Sequence, residues 1–138
     1  MSYSYADITT KNLENILKFL PFFANRQSKF FVNIEGVFNY TDEVRRFKKA
    51  LNDEGFATAS DWMKWNIVLG DFLEIPKKIE EADTATIQRL LTLILRSDGH
   101  VGIEGTRGIL GRWIENGLIL KILYRLEEIL KEKQSKVK

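Results

Sequence analysis

The sequence predicts a compact bundle of about six helices, all-α or nearly so, that forms a single helical domain over residues 1–138. Two observations carry this prediction. Several segments repeat apolar residues at the three- and four-residue spacing of one helix face. Hydrophobic residues make up 44% and charged residues 29% of the 138 residues, which is the balance of a globular domain that can build its own core.

Two helices are predicted in the N-terminal part of the chain. In the first, Pro21 should kink or end the helix near Phe19–Leu20, because proline removes a helical hydrogen bond. The apolar face of this helix consists of Leu13, Ile16, Leu17, Leu20 and Phe23. The second runs from about Asp42 to Glu54, with Thr41 as its N-cap and Gly55 as its stop. Its predicted buried stripe is Val44, Phe47 and Leu51.

The segment Phe30–Tyr40 between these helices reads FFVNIEGVFNY and lacks helical spacing. It is aromatic, β-branched and partly alternating around Glu35-Gly36, which favours a short hairpin near residues 30–40 or an extended strand pair. An isolated hairpin is only marginally stable in water, so we expect this segment to lie against the helices.

The rest of the chain predicts further helices. A third begins at Ser60 or Asp61 and is closed by Pro76; its apolar face consists of Trp62, Trp65, Leu69 and Phe72. A fourth is capped by Asp83, and its core-facing residues are Ile87, Leu90, Leu91, Ile94 and Leu95. A short helix over about Thr106–Asn116 leads to a fifth long helix after Gly117. The stripe of that helix is Ile119, Ile122, Leu123, Leu126 and Leu130. The polar tail Lys131–Lys138 is predicted to fray.

The order and spacing of several short motifs resemble those of a known family. The motifs are Tyr40-Thr41-Asp42-Glu43-Val44, Phe47, Leu51, Gly55-Phe56, Asp61-Trp62-x-x-Trp65, Leu91-Thr92 with Arg96, Gly108, Gly117 and Ile122-Leu123-x-x-Leu126. From roughly Phe31 to Leu130 the chain resembles DUF6508, an uncharacterised prokaryotic family of small helical proteins. The resemblance implies a helical fold and brings no activity with it. Gly99–Arg107 departs from the family pattern, in which an Arg-Phe pair and an acidic residue are expected soon after Arg96.

Composition excludes several classes of function. Cysteine is absent, so disulfides, thiolate chemistry and cysteine-based zinc sites are excluded. The net charge of +2 gives no overall case for nucleic acid, although a local basic patch stays open. Met1–Asp7 shows no signal-peptide pattern, and apolar runs such as Leu118-Ile119-Leu120 are too short to span a bilayer. We therefore expect a soluble cytoplasmic protein without a membrane partner, a cofactor or a metal.

The first candidate site is the segment Gly99–Gly111, in which glycine recurs at every third position. Glycines let the backbone approach a ligand closely, and successive N–H groups can hold an anion. Cationic side chains nearby would then bind a phosphate or a carboxylate. The candidate ligand-binding residues are Arg96, Gly105, Arg107 and Arg112. A flexible loop with a close helix–helix contact is the interpretation that we favour over a ligand site.

Two smaller patterns also suggest chemistry. His100, the only histidine, is flanked by Asp98 and Glu104; the candidate catalytic residues are therefore His100 as acid/base and Asp98 or Glu104 as its orienting partner. A solvated loop histidine is the favoured alternative. Trp62 and Trp65 lie about one turn apart and could stack a ring-shaped ligand. Aromatic residues at helical spacing more often belong to a core, and we favour that interpretation.

A basic cluster on the second helix suggests phosphate contacts. It consists of Arg45, Arg46, Lys48 and Lys49. Acidic residues bracket it on both sides, which favours a solvated face. They are Asp42, Glu43, Asp53 and Glu54.

The leading functional hypothesis is a small non-enzymatic binding or accessory protein. One alternative is an enzyme that acts on a phosphorylated or nucleotide-like substrate, with His100 as acid/base and Arg107 and Arg112 as the phosphate clamp. The other is a nucleic-acid-associated or self-associating regulatory protein. The expected partners are accordingly a second copy, another protein or an anionic ligand, with nucleic acid left open.

Overall fold

The computed structural model of the chain describes residues 8–35, 37–56, 75–98 and 109–136. Its elements are α1 (Thr10–Leu17), α2 (Leu20–Ala24), β1 (Phe31–Ile34), β2 (Val37–Tyr40), α3 (Asp42–Asp53), α4 (Ile75–Glu80), α5 (Thr84–Asp98), α6 (Ile109–Glu115) and α7 (Leu118–Lys136). The predicted mostly helical fold with a small hairpin is confirmed. The predicted helix from Ser60 or Asp61 lies outside the described residues. Pro76 lies in the first turn of α4, where proline is tolerated, and α4 itself is absent from the sequence prediction.

Helix α7 is at the centre of the fold and packs against α1, α2, α4, α5 and α6. Its predicted stripe is buried at Ile119, Ile122, Leu123 and Leu126 and partly buried at Leu130. The prediction that the tail frays from Lys131 is wrong as far as Lys136, because α7 continues to that residue. The sequence KEKQSK is rich in helix-forming side chains, and Lys131 pairs with Glu127 one turn earlier at 3.8 Å.

The break between α1 and α2 falls where the sequence predicts it. Pro21 occupies the first turn of α2, and Lys18 and Phe19 form the turn between the helices. A capping box begins α1: the Thr9 hydroxyl accepts the Asn12 N–H at 3.1 Å, and Asn12 Oδ1 accepts the Thr9 N–H at 2.9 Å. The buried residues of these two helices are Leu13, Ile16 and Phe23.

Helix α3 matches its prediction in extent and in its buried residues, which are Val44, Phe47 and Leu51. Gly55 follows it with a φ of 85°, and the Phe56 N–H reaches back to the Leu51 carbonyl at 2.8 Å. This is the Schellman ending that a glycine stop predicts. Thr41 occupies the N-cap position, but its hydroxyl makes no cap bond. It donates to the Lys29 carbonyl at 2.8 Å, because the hairpin brings the two residues together.

Helix α5 is fixed to the end of α3 by two buried polar side chains. Gln88 Nε2 donates to the Gly55 carbonyl at 2.9 Å, and Thr92 Oγ1 donates to the Phe56 carbonyl at 3.3 Å. Asp83 caps α5 as predicted, since its carboxylate accepts the Thr86 N–H at 2.8 Å. The predicted core face is confirmed, with Ile87, Leu90, Leu91 and Ile94 buried and Leu95 partly buried.

The segment between α2 and α3 is an antiparallel hairpin, as one of the two interpretations predicts. Phe31 pairs with Tyr40 and Ile34 with Val37, and Glu35 enters the turn with a φ of 52°. Phe30, just before β1, anchors the hairpin to the helices. Its ring centroid lies 5.3 Å from that of Phe22 and 5.6 Å from that of Phe23.

Candidate functional site

The predicted glycine–arginine site is described only in part. Arg96 and Asp98 lie in the last turn of α5, and Arg112 is exposed on α6. Helices α5 and α6 pack together, so the helices that carry Arg96 and Arg112 are neighbours. The other predicted site residues lie outside the described residues, and their roles stay predictions. These are Trp62, Trp65, His100, Glu104, Gly105 and Arg107.

A surface depression lies where the hairpin meets the first turn of α3. It has a volume of about 340 Å³ and is lined by Val32, Tyr40, Thr41, Asp42 and Arg45. We call these five residues the hairpin–helix face. Val32 contributes an apolar side chain to this face and is 39% exposed. The face therefore combines an apolar rim with polar and charged groups.

The charged pair of the hairpin–helix face is loosely joined. Asp42 and Arg45 are 81% and 57% exposed, and their nearest oxygen and nitrogen atoms are 3.7 Å apart, too far for a good hydrogen bond. Within the described ranges, two other ion pairs on α3 are closer: Arg46 to Glu43 at 2.9 Å and Lys49 to Asp53 at 3.1 Å. Asp42 and Arg45 thus keep most of their hydrogen-bonding capacity. The close pairs support the interpretation of the basic cluster as a solvated face.

Tyr40 forms a fixed wall of the depression. Its hydroxyl accepts the N–H of Gly111, in the first turn of α6, at 3.1 Å. The Lys48 ammonium lies 5.1 Å from the centroid of its ring, within range of a cation–π interaction. The hydroxyl satisfies a helix N–H that has no partner within α6, so the hairpin and α6 are held together at this point.

Among the described residues, three carboxyl groups have lowered pKa values: Glu54 and Glu80 each join two parts of the fold, and Asp83 caps α5. Hydrogen bonds from Asn15 and Asn12 lower the pKa of Glu54, and one from Lys121 lowers that of Glu80. The Thr86 side chain and N–H lower the pKa of Asp83. Hydrogen bonds to the charged form favour ionisation in all three cases. Within the described ranges, no three histidine or carboxylate side chains converge on a common point as metal ligands would.

The hairpin–helix face as a site is not predicted from the sequence. Alternation along β1 offers a partial signal, because Phe31 and Val32 must point to opposite sides of the hairpin. The placement of Val32 and Arg45 around one depression depends on how the hairpin folds back on α3. No local pattern encodes that placement.

The described fold is that of a small, mostly helical protein with one short hairpin. The model of DUF6508, described as a family of unknown function, matches residues 8–132. The chain belongs to this family, which confirms the resemblance seen in its motifs. No curated protein and no solved structure matches the chain significantly. Among the helices described, none is both long and apolar enough to cross a membrane.

Proposed function

We propose that this chain is a non-enzymatic binding protein and that its hairpin–helix face binds another protein. The observation that carries the proposal is the open depression, where exposed Val32 lies beside the loosely joined Asp42 and Arg45. Small-molecule sites bury most of their ligand in an enclosed cleft. An open depression of about 340 Å³ instead suits one or two side chains presented by a partner.

Arg45 is the residue that should contribute most to binding. Arginine is enriched among the residues that dominate interface energies, and its planar guanidinium can bind a carboxylate through two parallel hydrogen bonds. In the described part of the chain, the guanidinium of Arg45 makes one polar contact, the 3.7 Å approach to Asp42. A hydrogen bond to a charged group contributes about 1.5–3 kcal/mol. Arg45→Ala should therefore weaken binding by roughly ten- to a hundredfold.

Photo-crosslinking tests this proposal directly. A benzophenone amino acid replaces Val32, and in a matched control it replaces Glu132, which is exposed on α7. Both proteins are irradiated in an extract of the source cells and analysed by gel electrophoresis and mass spectrometry. We expect a discrete adduct from position 32 that is lost when Arg45→Ala is added. Equal labelling from both positions, or none from position 32, would contradict the proposal.

The proposal includes a cytoplasmic location in a prokaryotic cell and a single folding unit over residues 1–138. A chain without cysteine suits a reducing compartment, and the family resemblance supports the prokaryotic origin. Fractionation of the source cells would check the location: the protein should accompany a cytoplasmic marker and should be missing from a periplasmic or secreted fraction.

A further inference from the structure

We infer that the hairpin–helix face pairs with the same face of a second copy of this chain across a twofold axis. This inference rests on the proposed protein-binding function and names the partner. In a twofold contact, every group on one copy must find its complement on the identical surface of the other. The face meets this condition for charge, because Asp42 and Arg45 are adjacent, exposed and opposite in sign.

The order of charges along α3 strengthens the argument. Acidic residues occupy its first two positions, Asp42 and Glu43, and basic residues follow at Arg45 and Arg46. When α3 of a second copy runs antiparallel across the axis, its basic residues lie opposite the acidic residues of the first copy. Its acidic residues lie opposite the basic residues of the first copy. Two equivalent ion pairs then form, and each copy supplies the acidic group of one pair and the basic group of the other.

Shape and net charge agree with this arrangement. Val32 is an exposed apolar group on the rim of a depression. In a dimer, Val32 of each copy can therefore pack into the depression of the other. The formal net charge of +2 is small, so long-range repulsion between the copies is weak.

A partner of uniform charge fits the face less well. A nucleic acid would gain a contact with Arg45 but would also meet the carboxylates of Asp42 and Glu43. A strongly basic segment would be attracted by these carboxylates but repelled by Arg45 and Arg46. A surface that carries both positive and negative groups within a few ångströms is best complemented by a surface that also carries both. The same face of another copy is such a surface.

The test is charge exchange followed by sedimentation velocity over a series of protein concentrations. The variants are Asp42→Arg, Arg45→Asp and the double variant that carries both changes; Lys131→Asp on exposed α7 is the control.

Wild type should show a monomer–dimer equilibrium between one and two chains of 16.0 kDa. Each single change places like charges opposite one another twice per dimer and should weaken dimerisation by about tenfold or more. The double variant restores opposite charges and should return to within about threefold of wild type, and the control should match wild type.

Circular dichroism of every variant checks that the fold is retained, which the exposure of both residues leads us to expect. A wild-type protein that stays monomeric at all concentrations would overturn the inference. So would a double variant that dimerises no better than the single ones. If the wild type is monomeric while the crosslink at position 32 captures a different protein, self-pairing fails and the proposed function stands. If no crosslink forms either, both fail.

Discussion

At the residue scale, single hydrogen bonds join elements that are far apart in the sequence. Glu54, just after α3, accepts hydrogen bonds from the side chains of Asn12 at 3.0 Å and Asn15 at 2.9 Å, both on α1. An ionised carboxylate accepts such bonds better than a protonated one, and this lowers the pKa of Glu54. The junction between α1 and α3 is therefore coupled to pH.

Replacement of Glu54 by Gln should change the pH dependence of stability. Because the folded pKa lies below the unfolded one, the stabilisation is present above the unfolded value, ordinarily 4.5, and is lost as the pH falls through the folded pKa. The variant should be less stable than wild type at about pH 7 and should lose less stability on acidification to about pH 3. Urea unfolding at the two pH values measures both effects.

The matched control is Glu132→Gln, on the exposed side of α7. The Glu132 side chain makes no hydrogen bond within the described part of the chain. Its substitution should leave the acid dependence as in wild type. An identical pH profile for the two variants would show that the hydrogen bonds at Glu54 do not stabilise the junction.

At the element scale, short elements are held by polar contacts with their neighbours. Helix α6 is only seven residues long, and its first turn is fixed to the hairpin through Tyr40. Isolated helices of this length are unstable in water, so α6 depends on these contacts and on the burial of Leu110, Trp113 and Ile114. The hairpin and α6 should therefore respond together to a change at Tyr40.

Tyr40→Phe removes the acceptor and keeps the ring. It should lower the free energy of unfolding by about 1–3 kcal/mol, because the N–H of buried Gly111 loses its partner. The amide of Gly111 should also exchange faster with solvent, which nuclear magnetic resonance can follow. Tyr124→Phe is the control: Tyr124 is 46% exposed on α7, so its loss should change stability by less than about 0.5 kcal/mol. Equal effects of the two substitutions would mean that the bond to Gly111 contributes nothing.

How well each element could be predicted depends on how much of it faces the core. Helix α5 was predictable residue by residue, because burial on one side imposes a regular apolar spacing. Helix α4 has six residues, among which Ile79 is buried, and so short a segment cannot repeat an apolar spacing over several turns. The hairpin–helix face forms where Val32 and the first turn of α3 line the same depression. A single sequence carries no signal for that placement beyond the alternation along β1.

At the scale of the whole molecule, the buried side chains of the described elements form one cluster, and α7 contributes to it along most of its length. We therefore expect the chain to unfold as a single cooperative unit, in line with the proposal of one domain. Removal of apolar volume from α7 should weaken every element that packs on it.

Leu126 lies fully buried on α7 and tests this expectation. Leu126→Ala should lower the free energy of unfolding by about 2–5 kcal/mol, through lost burial and the cavity that remains. Leu130→Ala, at a partly buried position on the same helix, should cost less. Unfolding followed by circular dichroism and by tryptophan fluorescence should give coincident transitions. Two separate transitions would argue against a single domain.

The contact between α1 and α7 also bears on how the protein is made. On the ribosome, α1 emerges with its apolar side chains Leu13 and Ile16 but without the helix that covers them. At roughly 5–20 residues per second, the nascent chain waits on the order of ten seconds before α7 is synthesised. Through that interval the side chains that α7 covers lack this partner, so the fold cannot be completed before α7 emerges. The growing chain is then a natural client for chaperones that shield apolar segments.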